Sequence, residues 1–193
     1  MSVVIGRASR PLPGETENGD ATFVRVVGDA TWFGVIDALG HGPTAALASS
    51  LALMHLNRAD LTRTDAVGVV AAVQGLHTTL RGTRGAAALL CCVQGETLTC
   101  CGVGNVELRR LGARISAHVI PGVLGGLLAR KLVAAVGTMP AGTRVVLYSD
   151  GISPKFDVDD VGSGDLDVAA AALLSRFARS NDDATVLIAE ACA

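Results

Sequence analysis

Trp32-Phe33-Gly34-Val35-Ile36-Asp37-Ala38-Leu39-Gly40-His41-Gly42-Pro43 decides how this chain is read. Residues 32–36 are almost wholly apolar, which predicts a buried strand. Asp37 then enters a glycine-rich turn, and Pro43 suits the first position of a helix, where its missing N–H costs nothing. Beyond it, Ala45, Ala46, Leu47, Leu51, Leu53 and Met54 form an apolar stripe at helical spacing. The stretch reads strand, turn, helix, with one carboxylate at the mouth of the strand. Two roles are open to Asp37: capping the helix, or gripping a small ligand.

Working outward, residues 22–27 and 31–36 predict a hairpin turning at Gly28-Asp29, after a short strand at 3–5 and a polar loop over 9–20. Helices are predicted over 43–57 and 64–80. Thr62 or Thr64 would cap the second, with Val67, Val70, Ala71, Gln74 and His77 on one face. Three strand pairs follow: 86–94 with 97–102 around Gly95-Glu96, 106–111 with 114–118 around Gly112-Ala113, and 131–136 with 144–148 across the turn residues 138–143. Residues 153–164 read as loop or short helix, 166–179 as a helix and 184–189 as the last strand. Antiparallel hairpins with grouped helices predict an α+β fold: two packed antiparallel β-sheets flanked by helices, an α-β-β-α sandwich. No repeat or low-complexity linker divides residues 1–193, so a single domain is expected.

Half of the residues are hydrophobic but only 3% are aromatic, so the core must be built from Ala, Val, Leu and Ile. The net charge is −2 and the pI about 6.0, with no basic run, which argues against a nucleic-acid partner. The N-terminus lacks the layout of a signal peptide, and the longest apolar runs, such as 86–93, are too short to span a bilayer. A cytoplasmic monomer with no membrane partner is the expectation. Adjacent cysteines at 91–92 and 100–101 would point to opposite faces of their strands. With no Cys-x₂-Cys spacing, they read as reduced core residues and not as a zinc site. His55, His77 and His118 read as structural or surface residues. Residues 122–126 are glycine-rich but lack the Lys-Ser/Thr of a phosphate loop, so a flexible loop near the active site is expected.

Asp37 is not alone. Asp150 follows the apolar run 144–149, Asp182 and Asp183 precede the last strand, and Asp20 precedes the strand at 22–27. Carboxylates at strand ends are common turn chemistry. Converging at one edge of a sandwich, they would repel one another unless a cation lay among them. Oxygen-only donors select hard ions such as Mg²⁺ or Mn²⁺.

The set Asn18-Gly19-Asp20, Asp37-Ala38-Leu39-Gly40-His41-Gly42, Arg84-Gly85-Ala86, Val103-Gly104-Asn105-Val106, Ser149-Asp150-Gly151 and Asp182-Asp183-Ala184-Thr185-Val186 resembles the metal-dependent type 2C (PPM) Ser/Thr protein phosphatases, in order and across nearly the whole chain. It is most similar to the short bacterial, SpoIIE-like branch, and within that to the RsbX-type stand-alone phosphatases of stressosome signalling. The resemblance implies two divalent ions, Mn²⁺ or Mg²⁺. Asp37 would bridge them, the Ala38 carbonyl would add a ligand, and Asp150 and Asp182 would hold the second ion. Asp20 would reach the site directly or through water. Asp183 and Gly151 would support these ligands without touching an ion. The implied reaction is hydrolysis of phosphoserine or phosphothreonine by metal-activated water, with His41 as a candidate general acid for the leaving oxygen. The implied partners are phosphorylated STAS-domain proteins of a stressosome, whose phosphorylation switch the enzyme would reset. Alternatives are the same chemistry on another regulator, such as a phosphorylated anti-sigma factor antagonist, or a non-catalytic binding module on this fold.

Two departures stand out. Many relatives carry Glu before the first Asp, where this chain has Gly19. Larger relatives hold the phosphate with an Arg about five residues before that Asp, where this chain reads Gly14-Glu15-Thr16-Glu17. The substrate-binding residue therefore stays open, with Arg7 and Arg10 the nearest upstream arginines.

Overall fold

A computed structural model describes residues 1–111, 117, 119–128, 131–162 and 164–193. In chain order its elements are β1 (Ser2–Arg10), β2 (Asp20–Val27), β3 (Ala30–Ala38), α1 (Pro43–Arg58), α2 (Ala66–Thr79), β4 (Ala86–Gln94), β5 (Thr97–Val103), β6 (Glu107–Leu111), β7 (Val119–Ile120), β8 (Ala135–Thr138), β9 (Arg144–Tyr148), a 3-10 turn (Val158–Val161), α3 (Leu166–Phe177) and β10 (Ala184–Cys192). One sheet runs β1-β10-β9-β6. The other runs β2-β3-β4-β5-β7, with β8 also paired to β5. All pairings are antiparallel except β5 with β7. No helix among the described residues is long and apolar enough to cross a membrane.

The strand pleat sorts side chains into three apolar layers. On β3, Trp32 and Ile36 face α1 and α2, while Phe33 and Val35 face the other sheet. From that sheet Val145 and Leu147 of β9, and Leu187, Ala189 and Ala191 of β10, meet them. The opposite faces of β9 and β10 pack with Val146, Tyr148, Val186 and Ile188 against Leu166, Ala170 and Leu173 of α3. The order is helices, sheet, sheet, helix, as the sequence predicts. β4 is covered on both sides, which explains its unbroken apolar run in place of alternation.

The hairpin registers are as the turn residues imply. Val27 faces Ala30 across Gly28-Asp29, and Gln94 faces Thr97 across Gly95-Glu96. Cys91 therefore faces Cys100 between the sheets, its thiol donating to Cys100 Sγ at 3.4 Å with no disulfide, while Cys92 and Cys101 turn to the helices.

Several expectations are corrected. The 131–136 and 144–148 segments are not a strand pair: β8 pairs with β5 in one sheet and β9 with β10 and β6 in the other. The turn residues between them make an inter-sheet crossing, with Met139 buried between the sheets and Gly142 N–H donating to Ala191. β6 pairs with β9, and the partner strand expected at 114–118 lies, apart from residue 117, outside the described residues. The first strand spans nine residues, not three. Asp65, not Thr62 or Thr64, caps α2, accepting from Gly68 N–H. Both helices are turned in part from their expected faces: of the residues expected there, only Ala45 of α1 and His77 of α2 are buried. α1 buries Ala45, Ala48, Ser49, Ala52 and Leu56 and exposes Leu47 and Met54. α2 buries Val69, Ala72, Val73 and Leu76 and exposes Val67. Alanines let a helix lie close on a sheet, and with apolar residues on several sides periodicity cannot select the seated face. The 122–126 loop is pinned and not loose. Leu124 exchanges backbone hydrogen bonds with Ala86, and Gly125 N–H donates to Nδ1 of the buried His77.

α3 seats on β1 at Gly6, where any Cβ would collide with the Leu166 backbone. Gly6→Ala is expected to lower stability by about 1–3 kcal/mol through overpacking. An unchanged urea midpoint would show that this contact does not hold the helix.

Candidate functional site

The pleat that places Phe33 and Val35 between the sheets also directs Asp37, two residues on, to that inner face at its open end. Asp20 is its cross-strand partner in the β2–β3 register and shares the face. The other sheet meets them there. Ser149 follows Leu147 off the end of β9, and Asp182 and Asp183 lead into β10. Ser149 Oγ donates to Asp20 Oδ2 at 2.6 Å and accepts from Thr185 N–H at 3.0 Å, tying the two sheets together. Asp37, Leu39, Gly40, His41, Ala87, Asn105, Asp150, Asn181 and Asp182 line a mouth of about 270 Å³. The structure thus brings Asp37, His41, Asp150 and Asp182 to one opening, with the buried Asp20 directly behind.

Burial pushes the Asp37 carboxyl up to about 8, and the charges of Asp20, Asp150, Asp182 and Asp183 push the same way. Asp37 Oδ2 is buried with no hydrogen-bond partner. Burial raises Asp20 to about 7 against the opposing hydrogen bond from Ser149. Asp182 is also raised, first by burial and then by Asp150. Asp150 is exposed, and its Oδ2 accepts from Asn105 Nδ2 at 2.6 Å. An orphaned buried carboxylate oxygen, ringed by further carboxylates, fits a cation and little else. Oxygen-only donors fit Mg²⁺ or Mn²⁺. Among the described residues no three His, Cys, Asp or Glu side chains are drawn together tightly enough to enclose an ion unaided. A hard ion that retains water does not need full enclosure.

The remaining expected residues hold the frame. Asp183 is buried, and its carboxylate accepts from Leu12 N–H at 2.7 Å and Gly19 N–H at 2.9 Å. Gly151 lies so close on the Asp183 carbonyl that no Cβ would fit. Ala38 is buried at the end of β3, its N–H donating to Gly19 O at 3.2 Å. Gly19 has no room for a side chain either: a Cβ would fall 2.7 Å from Asp183 Oδ2 and 2.8 Å from Ala45 Cβ. Gly19 O also accepts from the buried Ser49 hydroxyl of α1.

Sequence reasoning missed Glu15. Its Oε1 lies 2.8 Å from His41 Nδ1, so a carboxylate holds the imidazole. It also missed the roles of Asn105, Asn181 and Ser149. Asn105 and Ser149 stood inside recognised motifs, so a signal existed; Glu15 lay in a loop without one. Arg7 and Arg10 are both engaged by protein partners. Arg7 donates to Thr22 Oγ1, and Arg10 is held by the carbonyls of Pro11, Arg179 and Asp182.

Because Asp20 and Asp37 bind protons more tightly in the folded chain than when unfolded, the metal-free protein is expected to lose stability as pH rises from about 4 to 8. Melting temperatures across that range measure this. Mg²⁺ or Mn²⁺ should flatten the decline, and Asp37→Asn should raise the metal-free melting temperature at pH 8. A melting temperature that climbs steadily with pH, or does not respond to either ion, would contradict this account of the site.

No protein-family model matches the chain, and no curated protein matches it in sequence. Solved structures do match. A chain from the structure of "The bacterial stressosome: a modular system that has been adapted to control secondary messenger signaling" superposes with a TM-score of 0.90 at 29% identity, over 98% of this chain and 100% of that one. RsbX in complex with magnesium gives 0.81 at 20% identity, over 97% of this chain and 94% of RsbX. The PPM Ser-Thr phosphatase MsPP from Mycobacterium smegmatis, in complex with cacodylate, gives 0.71 at 20% identity, over 97% and 98%. The likeness to RsbX is no more specific than the shared architecture, since this sandwich also matches the PP2C domain of SpoIIE from Bacillus subtilis at a TM-score of 0.74. The chain has the fold of the PP2C-type phosphatases.

Proposed function

We propose that this chain, acting as one unit over residues 1–193, is a metal-dependent phosphatase for phosphoserine and phosphothreonine on proteins. The observation that carries the reading is the meeting of Asp37, Asp150 and Asp182 at one mouth, with Asp20 behind and one Asp37 oxygen buried without a partner. Asp37 would lie between two divalent ions, with the Ala38 carbonyl, Asp150, Asp182 and Asp20 completing their surroundings. Ions held there lower the pKa of water and neutralise phosphoryl charge. Asn105 orients Asp150. Asp183 and Gly151 hold the backbone that presents Asp182.

His41 would give a proton to the leaving serine or threonine oxygen. As the imidazolium, His41 would donate Nδ1–H to the Glu15 carboxylate 2.8 Å away, which would fix the ring and leave Nε2–H as the proton to be transferred. No nucleophilic side chain is required. Cys91 and Cys100 sit between the sheets, and burial pushes the Cys91 thiol well up, so neither acts as a nucleophile.

The finer reading is that the substrates are phosphorylated STAS-domain proteins of a stressosome, met in the cytoplasm. The 29% identity over essentially the full length of a chain from a bacterial stressosome structure supports it.

Phosphate release from a phosphorylated STAS domain and from unrelated phosphopeptides, with Mn²⁺ or Mg²⁺ and with EDTA, tests both levels. Turnover should need the ion and fall to background in Asp37→Ala and Asp150→Ala, each still folded. A folded protein inert toward every phosphoprotein would instead mark a binding module. Equal turnover of all substrates would sink the stressosome assignment and leave the chemistry.

His41→Gln is expected to slow phosphoserine hydrolysis by about 10²–10⁴-fold. It should barely affect an aryl phosphate, whose leaving group needs no proton. Equal slowing of both would remove His41 from the acid role.

A further inference from the structure

A phosphate monoester brings up to two negative charges to a mouth whose lining side chains include Asp37, Asp150 and Asp182. Bound ions offset part of that repulsion. A guanidinium at the rim would offset more, and its planar fork matches phosphate oxygens. We propose that Arg84 is that group: the residue that receives and orients the substrate's phosphate. The assignment rests on the phosphatase reading above.

Three observations carry it. The first is position. The Arg84 guanidinium lies over Gly40, which lines the mouth between Leu39 and His41. A Cβ on Gly40 would fall 2.5 Å from Arg84 Nη1 and 3.7 Å from Cζ, so only glycine leaves the guanidinium its place.

The second is anchorage. Leu39 N–H donates to Gly85 O at 3.0 Å, joining the turn that carries Gly40 to the peptide that follows Arg84. Thr83 Oγ1 accepts from Gly85 N–H at 3.0 Å and donates to Leu80 O at 2.7 Å. Gly85 has φ +81° and presses on Leu124 O, a place closed to other residues. The backbone at 83–85 is thus fixed relative to Asp37, while the Arg84 side chain stays exposed.

The third is availability. Among the described residues no hydrogen bond or ion pair engages the Arg84 guanidinium. The other arginines of the chain with described partners point elsewhere. Arg25 donates to Leu56 and Ala59 carbonyls, Arg109 to those of Pro154 and Phe156, and Arg144 pairs with Glu190. Arg7 and Arg10, the upstream candidates, already have partners: Arg7 donates to Thr22 Oγ1, and Arg10 to the carbonyls of Pro11 and Asp182. Arg84 stood inside the recognised motif Arg84-Gly85-Ala86, but a phosphate-binding arginine was sought before Asp20, and this one arrives from just before β4.

Two measurements on wild type, Arg84→Ala and Arg84→Lys test the assignment. The first is binding of inorganic phosphate to the Mg²⁺-loaded protein by titration calorimetry. Arg84→Ala should weaken binding about 10- to 100-fold, the range for losing a charge-assisted pair. Arg84→Lys should recover part of it, since lysine keeps the charge but not the fork. The second is phosphopeptide hydrolysis, where Arg84→Ala should raise KM more than it lowers kcat. Phosphate bound equally by wild type and Arg84→Ala, or not bound by wild type, would overturn the role of Arg84. Absent turnover in wild type would overturn the phosphatase reading, and the calorimetry would still judge Arg84 as a phosphate ligand.

Discussion

Two aspartates held opposite each other on the inward face of a sheet set the terms for this molecule. Like charges directly across a strand pair destabilise it, and burial compounds the penalty. Asp20 and Asp37 endure both, because the β2–β3 register puts them there and the register is fixed by eight facing residue pairs and a two-residue turn. Moving either strand by one residue would turn every apolar side chain to the wrong face. The hydrophobic layers therefore enforce an arrangement that electrostatics alone would reject. The rest of the mouth is built around that tension. Ser149 bonds one carboxylate from the facing sheet, and Asn105 restrains Asp150 at the rim.

Much of this was legible in the sequence because it is local. Strand period, turn glycines and the proline at the start of α1 each act within a few residues, and together they imply the four-layer sandwich. The register of the first hairpin was legible too: a turn at Gly28-Asp29 already sets Asp20 against Asp37. Non-local choices were not legible. Nothing near residues 135–138 says that they join β5 and not β9; that depends on which sheet has an open edge. Nor could periodicity select the face of an alanine-rich helix.

The candidate site divides the same way. Aspartates announce themselves at strand ends, so Asp20, Asp37, Asp150 and Asp182 are legible as a set from the order of residues alone. The residues that tune them are not. Glu15 meets His41 across 26 positions, and Arg84 reaches Gly40 across 44. Both contacts join segments distant in sequence, and only the Arg84–Gly40 contact has a recognised motif at each end. The missing side chains of Gly40 and Gly19 matter as much as the residues that approach them, and an absence of atoms carries no chemical signature in a sequence.

The bond between Asp183 and the amides of Leu12 and Gly19 has a consequence for how such a chain can drift. Its two oxygens each take one N–H, and the space against them is closed to any Cβ at position 19. An asparagine at 183 offers one acceptor where two are needed. A glutamate at 19 has nowhere to stand while Asp183 is in place. Positions 19 and 183 are therefore coupled through one carboxylate, and a change at either loosens the loop that carries Glu15.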